Sequence, residues 1–171
     1  MVKLNCINRR EIPVLCIAFG IALVVALLLY RVLTPSEKVF TLTLTPMERT
    51  SYKVGEELEA MAMLENCGKF SYTLVYEHKL ILMMLQKDGW SAEYMAATEM
   101  DSMTLEAGER VRTAAITTPN GIVRVGQHAE RYVFVEPGTY TLQVSACFEI
   151  DKLRAREYRY SLDPITITVT E

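Results

Sequence analysis

Two kinds of hydrophobic pattern divide this chain. From Ile12 to Leu33 it reads IPVLCIAFGIALVVALLLYRVL, with no charged side chain between Ile12 and Tyr30. As a helix this stretch would rise roughly 33 Å at about 1.5 Å per residue, matching a bilayer hydrocarbon core of about 30 Å. Pro13 falls in the first turn, where its missing N–H costs little, and Gly20 is a residue type common in membrane helices. Further on, the period becomes two. Phe40, Leu42 and Leu44 alternate with Thr41, Thr43 and Thr45. Leu58, Ala60, Ala62 and Leu64 alternate with Glu59, Met61, Met63 and Glu65 before Asn66, Cys67 and Gly68 stop the run. Tyr140, Leu142, Val144, Ala146, Phe148 and Ile150 alternate with Thr141, Gln143, Ser145, Cys147 and Glu149. This is the pattern of strands with one face in a core and one in water.

Between these runs lie shorter strand signals punctuated by turns. Tyr72 to Gln86 supplies one or two strands, and its apolar stretch Leu80 to Leu85 suits a strand covered on both faces. Lys87-Asp88-Gly89-Trp90 has the Asp-Gly pair of a tight hairpin turn, with Trp90 to Ala97 returning. Leu105 to Glu109 turns the chain into Arg110 to Thr117, and Pro119-Asn120-Gly121 turns it again. Ala129 to Val135, Thr139 to Ile150, an edge strand over Arg154 to Tyr160, and Ile165 to Thr170 complete the series. Seven to nine short strands with no amphipathic helix predict an all-β fold, an immunoglobulin-like antiparallel β-sandwich preceded by one N-terminal transmembrane helix. The expected organisation is a cytoplasmic tail over 1–11, the transmembrane helix over 12–33, a hinge over 34–38 and the sandwich over 39–171.

A cleaved signal peptide is the main rival for the first segment, but its apolar region would be about 7 to 15 residues long and would end in small residues. Here the run ends in Leu27, Leu28, Leu29, Tyr30 and Arg31, and Pro13, Val14 and Leu15 before Cys16 make no lipobox. Lys3, Arg9 and Arg10 on the amino side outweigh Arg31 and Lys38 on the other. That bias favours a cytoplasmic N-terminus and an extracytoplasmic domain on a single-pass cell-membrane protein. The chain has 18 bases and 21 acids. Taking away Lys3, Arg9, Arg10, Arg31 and Glu11 leaves residues 34–171 with a net charge of about −6, the wrong sign for nucleic-acid binding.

Three turn-to-strand pieces, Tyr52-Lys53-Val54-Gly55-Glu56, Leu105-Glu106-Ala107-Gly108-Glu109 and Glu136-Pro137-Gly138-Thr139-Tyr140, resemble those of bacterial immunoglobulin-like domains, including domains similar to the intracellular proteinase inhibitor family of bacilli. The resemblance spans most of Val39 to Val169. It implies a non-enzymatic extracytoplasmic module or, by the second comparison, a protease-binding one, with no inhibitory residue to carry over. One departure is that Leu142 stands where antibody-type domains place a buried cysteine two residues after the strand-F tyrosine.

Cys67 and Cys147 are the cysteines expected outside the membrane. The sandwich topology puts them towards the same end of parallel-running strands, so a disulfide is a candidate, with free thiols as the alternative. Met61 and Met63 fall opposite the inward face of their strand and form a candidate partner-contact face, since flexible thioethers suit adaptable contacts; a covering loop is the competing reading. Arg154, Arg156 and Arg159 are candidates for lipid head-group contact, against the plainer reading of a charged edge strand that resists aggregation. His78 and His128 sit in no metal-ligand spacing, and neither a GxSxG nor a glycine-rich phosphate loop occurs. No catalytic residue, metal or cofactor is expected. The functional expectation is a membrane-anchored extracytoplasmic interaction module, a cell-surface domain or an accessory subunit of an envelope assembly, held in the bilayer through residues 12–33 and meeting a protein partner. The alternative is a tethered inhibitor or regulator of an extracytoplasmic protease presenting a loop such as Pro119 to Gly126.

Overall fold

The computed structural model describes the backbone of residues 12–33, 35–45, 47, 49–87, 100–118, 122–125, 131–151 and 157–171 and, apart from 12–16, 31–33 and 123–125, their side chains. Two compact units divide the chain, Met1–Ser36 and Glu37–Glu171.

The first unit contains α1, a 22-residue helix from Ile12 to Leu33 with no acidic residue in its first turn. Its described side chains are exposed on every side, from 48% for Val25 to 72% for Phe19. Among the described residues no helix is long and apolar enough to cross a membrane, so the expected span lacks support there.

The second unit is an all-β sandwich. Its strands begin with β1 (Phe40–Leu44), β2 (Ser51–Lys53), β3 (Glu57–Leu58), β4 (Ala62–Asn66), β5 (Tyr72–Glu77), β6 (Ile81–Lys87) and β7 (Met100–Leu105). They continue with β8 (Arg110–Thr113), β9 (Ile116–Thr117), β10 (Ile122–Val125), β11 (Arg131–Phe134), β12 (Gly138–Ile150), β13 (Glu157–Ser161) and β14 (Ile165–Thr170). One sheet has the order β1-β4-β8 and a second runs β2-β14-β12-β5-β7, with β13 and β6 also on β12 and β9 on β6; a small third sheet is β10-β11-β3. The first two sheets form the two layers of a β-sandwich, the larger layer centred on β12.

The 13-residue β12 organises the larger sheet. It pairs with β14 over Gly138 to Leu142 and with β13 over Ser145 to Glu149 on one side, and with β6 and then β5 on the other. Its inward residues Tyr140, Leu142, Val144, Ala146, Phe148 and Ile150 are all buried, as the alternation predicts. Phe40 on β1 meets Phe148 and Tyr72 edge-on at ring separations of 5.1 and 5.5 Å, so aromatic rings join the two sheets. Phe148 in turn stacks on Tyr158 at 5.7 Å.

One predicted strand is divided, and Tyr72 to Gln86, read as one or two strands, forms two. Leu58 to Glu65 reads as one alternating run, yet β3 pairs with β11 while β4 pairs with β1 and β8. The chain changes sheets across Glu59, Ala60 and Met61, and Leu58, Ala60, Ala62 and Leu64 stay buried throughout. Tyr72 to Gln86 breaks into β5 and β6 because of a bulge. Ala146 pairs with Ile81 and Glu149 with Val75, so Cys147 and Phe148 stand opposite the longer stretch from Tyr76 to Leu80. His78 takes up the excess with φ 54°, and the Lys79 N–H donates to the Glu77 carbonyl at 2.6 Å, the hydrogen bond of a γ-turn.

Tyr140 is fully buried and its hydroxyl donates to the Glu136 carbonyl at 2.8 Å, the tyrosine corner of this fold type. Tyr140→Phe keeps the ring and removes that hydrogen bond. It is expected to cost about 1 kcal/mol, read as a lowered urea midpoint with unchanged slope; an unaltered midpoint would show that the corner contributes nothing to stability.

Candidate interaction surfaces

The sheet change at Glu59 to Met61 opens a groove of about 670 Å³ lined by Met47, Tyr52, Glu59, Ala60 and Met61 among others. Met61 is 40% exposed and Met63 half-buried, while Ala62 and Leu64 between and beyond them are buried. Met63 lies in register with Thr43 on β1 and Arg112 on β8, so it belongs to the outer face of the smaller sheet, while Met61 stands at the mouth of the groove.

The rim is charged. The Arg49 guanidinium lies 4.5 Å from the centre of the Tyr52 ring and pairs with Glu56 at 2.9 Å. The other Glu56 oxygen accepts the Lys53 N–H at 2.7 Å. That backbone donor, followed by Arg49, holds the Glu56 carboxyl below the usual carboxylate range. Across the groove Arg131 lies 3.6 Å from Glu57, a loose exposed pair of the kind that contributes little to stability.

A second depression, about 430 Å³, lies at the bulge on the outer face of the larger sheet, lined by Val75, Glu77, His78, Lys79, Cys147 and Glu157 among others. The Cys147 thiol donates to Glu157 Oε1 at 2.7 Å, and Glu157 Oε2 lies 2.6 Å from the Arg159 guanidinium. Burial, then the Glu157 carboxylate, push the Cys147 thiol up to about 11. Arg159, then the thiol, hold the Glu157 carboxyl below its ordinary value. A carboxyl depressed in the folded state stabilises the fold above its unfolded titration range, and that contribution is lost as the pH falls through the folded one.

Of the two alternatives for Cys67 and Cys147, a disulfide or free thiols, the structure has free thiols, both exposed. Cys67 Sγ lies 3.4 Å from the hydroxyl of Thr41, an exposed residue of β1, which places it on the outer side of the smaller sheet. Cys147 faces outward from the larger sheet, between the buried Ala146 and Phe148. The core lies between the two thiols, and a bridge reaches only across about 4.4 to 6.8 Å between Cα atoms. Position along parallel-running strands does not reveal this; the parity of each cysteine within its strand does.

Of the three arginines read as lipid contacts, Arg159 is exposed and ion-paired, while Arg154 and Arg156 lie outside the described residues. The Asp88-Gly89 turn, the Trp90 to Ala97 return, His128 and, from the Pro119 to Gly126 loop, Pro119, Asn120, Gly121 and Gly126 lie outside them too, while Ile122 to Val125 of that loop form β10. Among the described residues no cluster of three or more His, Cys, Asp or Glu side chains is arranged to hold a metal. The bulge depression escapes sequence reading because a histidine, not a glycine, occupies the left-handed position.

No family model and no curated protein matches the chain. Among solved structures it is similar to a β-glucosidase from Listeria innocua in complex with gluconolactone, at 16% identity and a TM-score of 0.40, over 77% of this chain and 16% of that one. It is also similar to the sporulation control protein Spo0M of Bacillus subtilis, at 17% identity and a TM-score of 0.38, over 78% of this chain and 50% of that one. A third likeness is to the ASH/PapD-like domain 7 of human CEP192, at 14% identity and a TM-score of 0.35, over 81% of this chain and 89% of that one. The fold assignment rests on the strand order and the tyrosine corner.

Proposed function

We propose that the chain is a single-pass, membrane-anchored interaction module without catalytic activity, its N-terminus cytoplasmic and its sandwich extracytoplasmic, acting as a cell-surface domain or as an accessory subunit of an envelope assembly. The observation that carries this reading is the contrast between the two units. The sandwich buries its large apolar side chains, whereas α1 leaves Ile17, Phe19, Ile21, Leu23, Val24, Leu27, Leu28 and Leu29 more than half exposed. An uninterrupted apolar surface around a helix has a solvent in lipid and none in water.

The test is extraction of the full chain from cell membranes. It should stay in the pellet through alkaline carbonate and leave only with detergent, and placing Lys at both Val24 and Leu28 should move it to the supernatant, since each central Lys costs about 2.5 to 3.5 kcal/mol of insertion. Recovery of the unaltered chain as a monodisperse species without detergent would overturn the anchor. Orientation is read with a membrane-impermeant maleimide on intact cells, which should reach the exposed Cys67.

A further inference from the structure

We infer that the groove at the sheet change is a docking site for an extended segment of a partner protein carrying alternating apolar and basic residues. The inference deepens the proposed binding role and names its surface. Three features of one place support it.

The first is main chain left over. Where β3 ends its pairing with β11 at Leu58, and before β4 begins pairing at Ala62, the only main-chain hydrogen bond joining Glu59, Ala60 or Met61 to the described residues runs from the Thr45 N–H to the Met61 carbonyl, at 2.8 Å. Among the described residues the main chains of Glu59 and Ala60 have no hydrogen-bond partner, and Ala60 is only 9% exposed. Backbone groups in such a setting take partners, and an added strand supplies them in the geometry used by sheet-edge recognition.

The second feature is the floor. Met61, the half-buried Met47, Ala60 and Tyr52 all line the groove, so flexible thioethers share the surface with a rigid ring. Such a surface moulds itself around an apolar side chain whose shape it does not dictate.

The third is charge. Arg49 is occupied by Glu56 and Tyr52, and Arg131 stands against Glu57. The Glu59 carboxylate has no ion-pair partner among the described residues and lies at the groove. Among the described residues the charge left to be matched is therefore negative, and a Lys or Arg on the incoming strand matches it. Because successive side chains of a strand alternate in direction, a segment that turns apolar groups towards Met61 can present basic ones to the rim.

The experiment uses the full chain in non-ionic detergent micelles and two fluorescein-labelled peptides, one alternating Val with Lys and one alternating Val with Glu, followed by anisotropy. The Val-Lys peptide should bind saturably and at least tenfold more tightly than the Val-Glu peptide. Met61→Asn should weaken it at least tenfold, and Glu59→Lys should reverse the preference; both positions are exposed, so circular dichroism of the variants should match the parent. Absence of saturable binding by either peptide, or binding that Met61→Asn and Glu59→Lys leave unchanged, overturns the proposal. Membrane attachment is read independently by carbonate extraction, so loss of the anchor reading with peptide binding intact, or the reverse, is recognisable.

Discussion

An Asn66→Asp variant is expected to lose about 3 to 5 kcal/mol of folding stability, the cost of leaving a buried group charged and unmatched. Asn66 is fully buried at the end of β4. Its Nδ2 donates to the carbonyls of Phe70, Leu105 and Glu106 at 2.8, 3.0 and 3.0 Å, and its Oδ1 accepts the Gly68 N–H at 3.0 Å. The main chain of the same residue donates to the Glu109 carbonyl and accepts from the Gly108 N–H. One side chain therefore closes the turn after β4 and ties it to the turn between β7 and β8. A carboxylate of the same shape keeps the acceptor, loses both N–H donors and brings negative charge against three carbonyl oxygens. Asn66→Leu removes donor and acceptor together and is expected to cost about 2 to 3 kcal/mol. Urea unfolding of the full chain in detergent, followed by circular dichroism, measures both. The Asp variant should recover part of its deficit as acid protonates the new carboxyl, which can then donate to one carbonyl, whereas the Leu variant should not. Equal stability of parent and Asp variant at neutral pH would show that the amide is not what joins the two turns.

Alternation along a strand reports which side chains are buried and is silent on which strand lies beside them, and most differences between sequence and structure follow from that. β1, β12 and β14 were legible almost to the residue because their inward faces stay buried or half-buried along the whole run, in β12 even as its partners change from β14 to β13 and from β6 to β5. Leu58 to Glu65 was legible in burial and misleading in pairing. Leu58, Ala60, Ala62 and Leu64 point inward without a break while their neighbours change from β11 to β1 and β8. The place where the pattern concealed a change of sheet is where the groove lies. Met61 was legible as outward-facing for the same reason, and the groove beside it was not. The bulge at His78 was hidden more deeply, since the left-handed region is usually signalled by glycine or asparagine, and Asn66 read only as a strand stop.

Cys147 is expected to alkylate roughly twentyfold more slowly in the folded protein than in the urea-unfolded chain at pH 8. Its thiol is exposed at the residue level, so access alone predicts a fast reaction; its titration near 11 predicts the opposite. At pH 8 such a thiol is about 0.1% thiolate, against roughly a quarter for an ordinary thiol near 8.5. The greater nucleophilicity of the more basic thiolate, with a Brønsted slope of about 0.4 to 0.5, returns about tenfold of that difference. Burial is the larger cause of the shift and the Glu157 carboxylate the next, so Glu157→Gln should speed labelling without restoring the unfolded rate. Because the folded state holds a proton that the unfolded chain releases, the Cys147 contribution to stability falls as the pH rises from the unfolded thiol range towards 11. Time-resolved iodoacetamide labelling, with the Cys147 peptide quantified by mass spectrometry, measures the rates. Equal rates in folded and unfolded protein would show that the thiol is chemically ordinary, and a Glu157→Gln variant no faster than the parent would show that the carboxylate contributes nothing to its slowness.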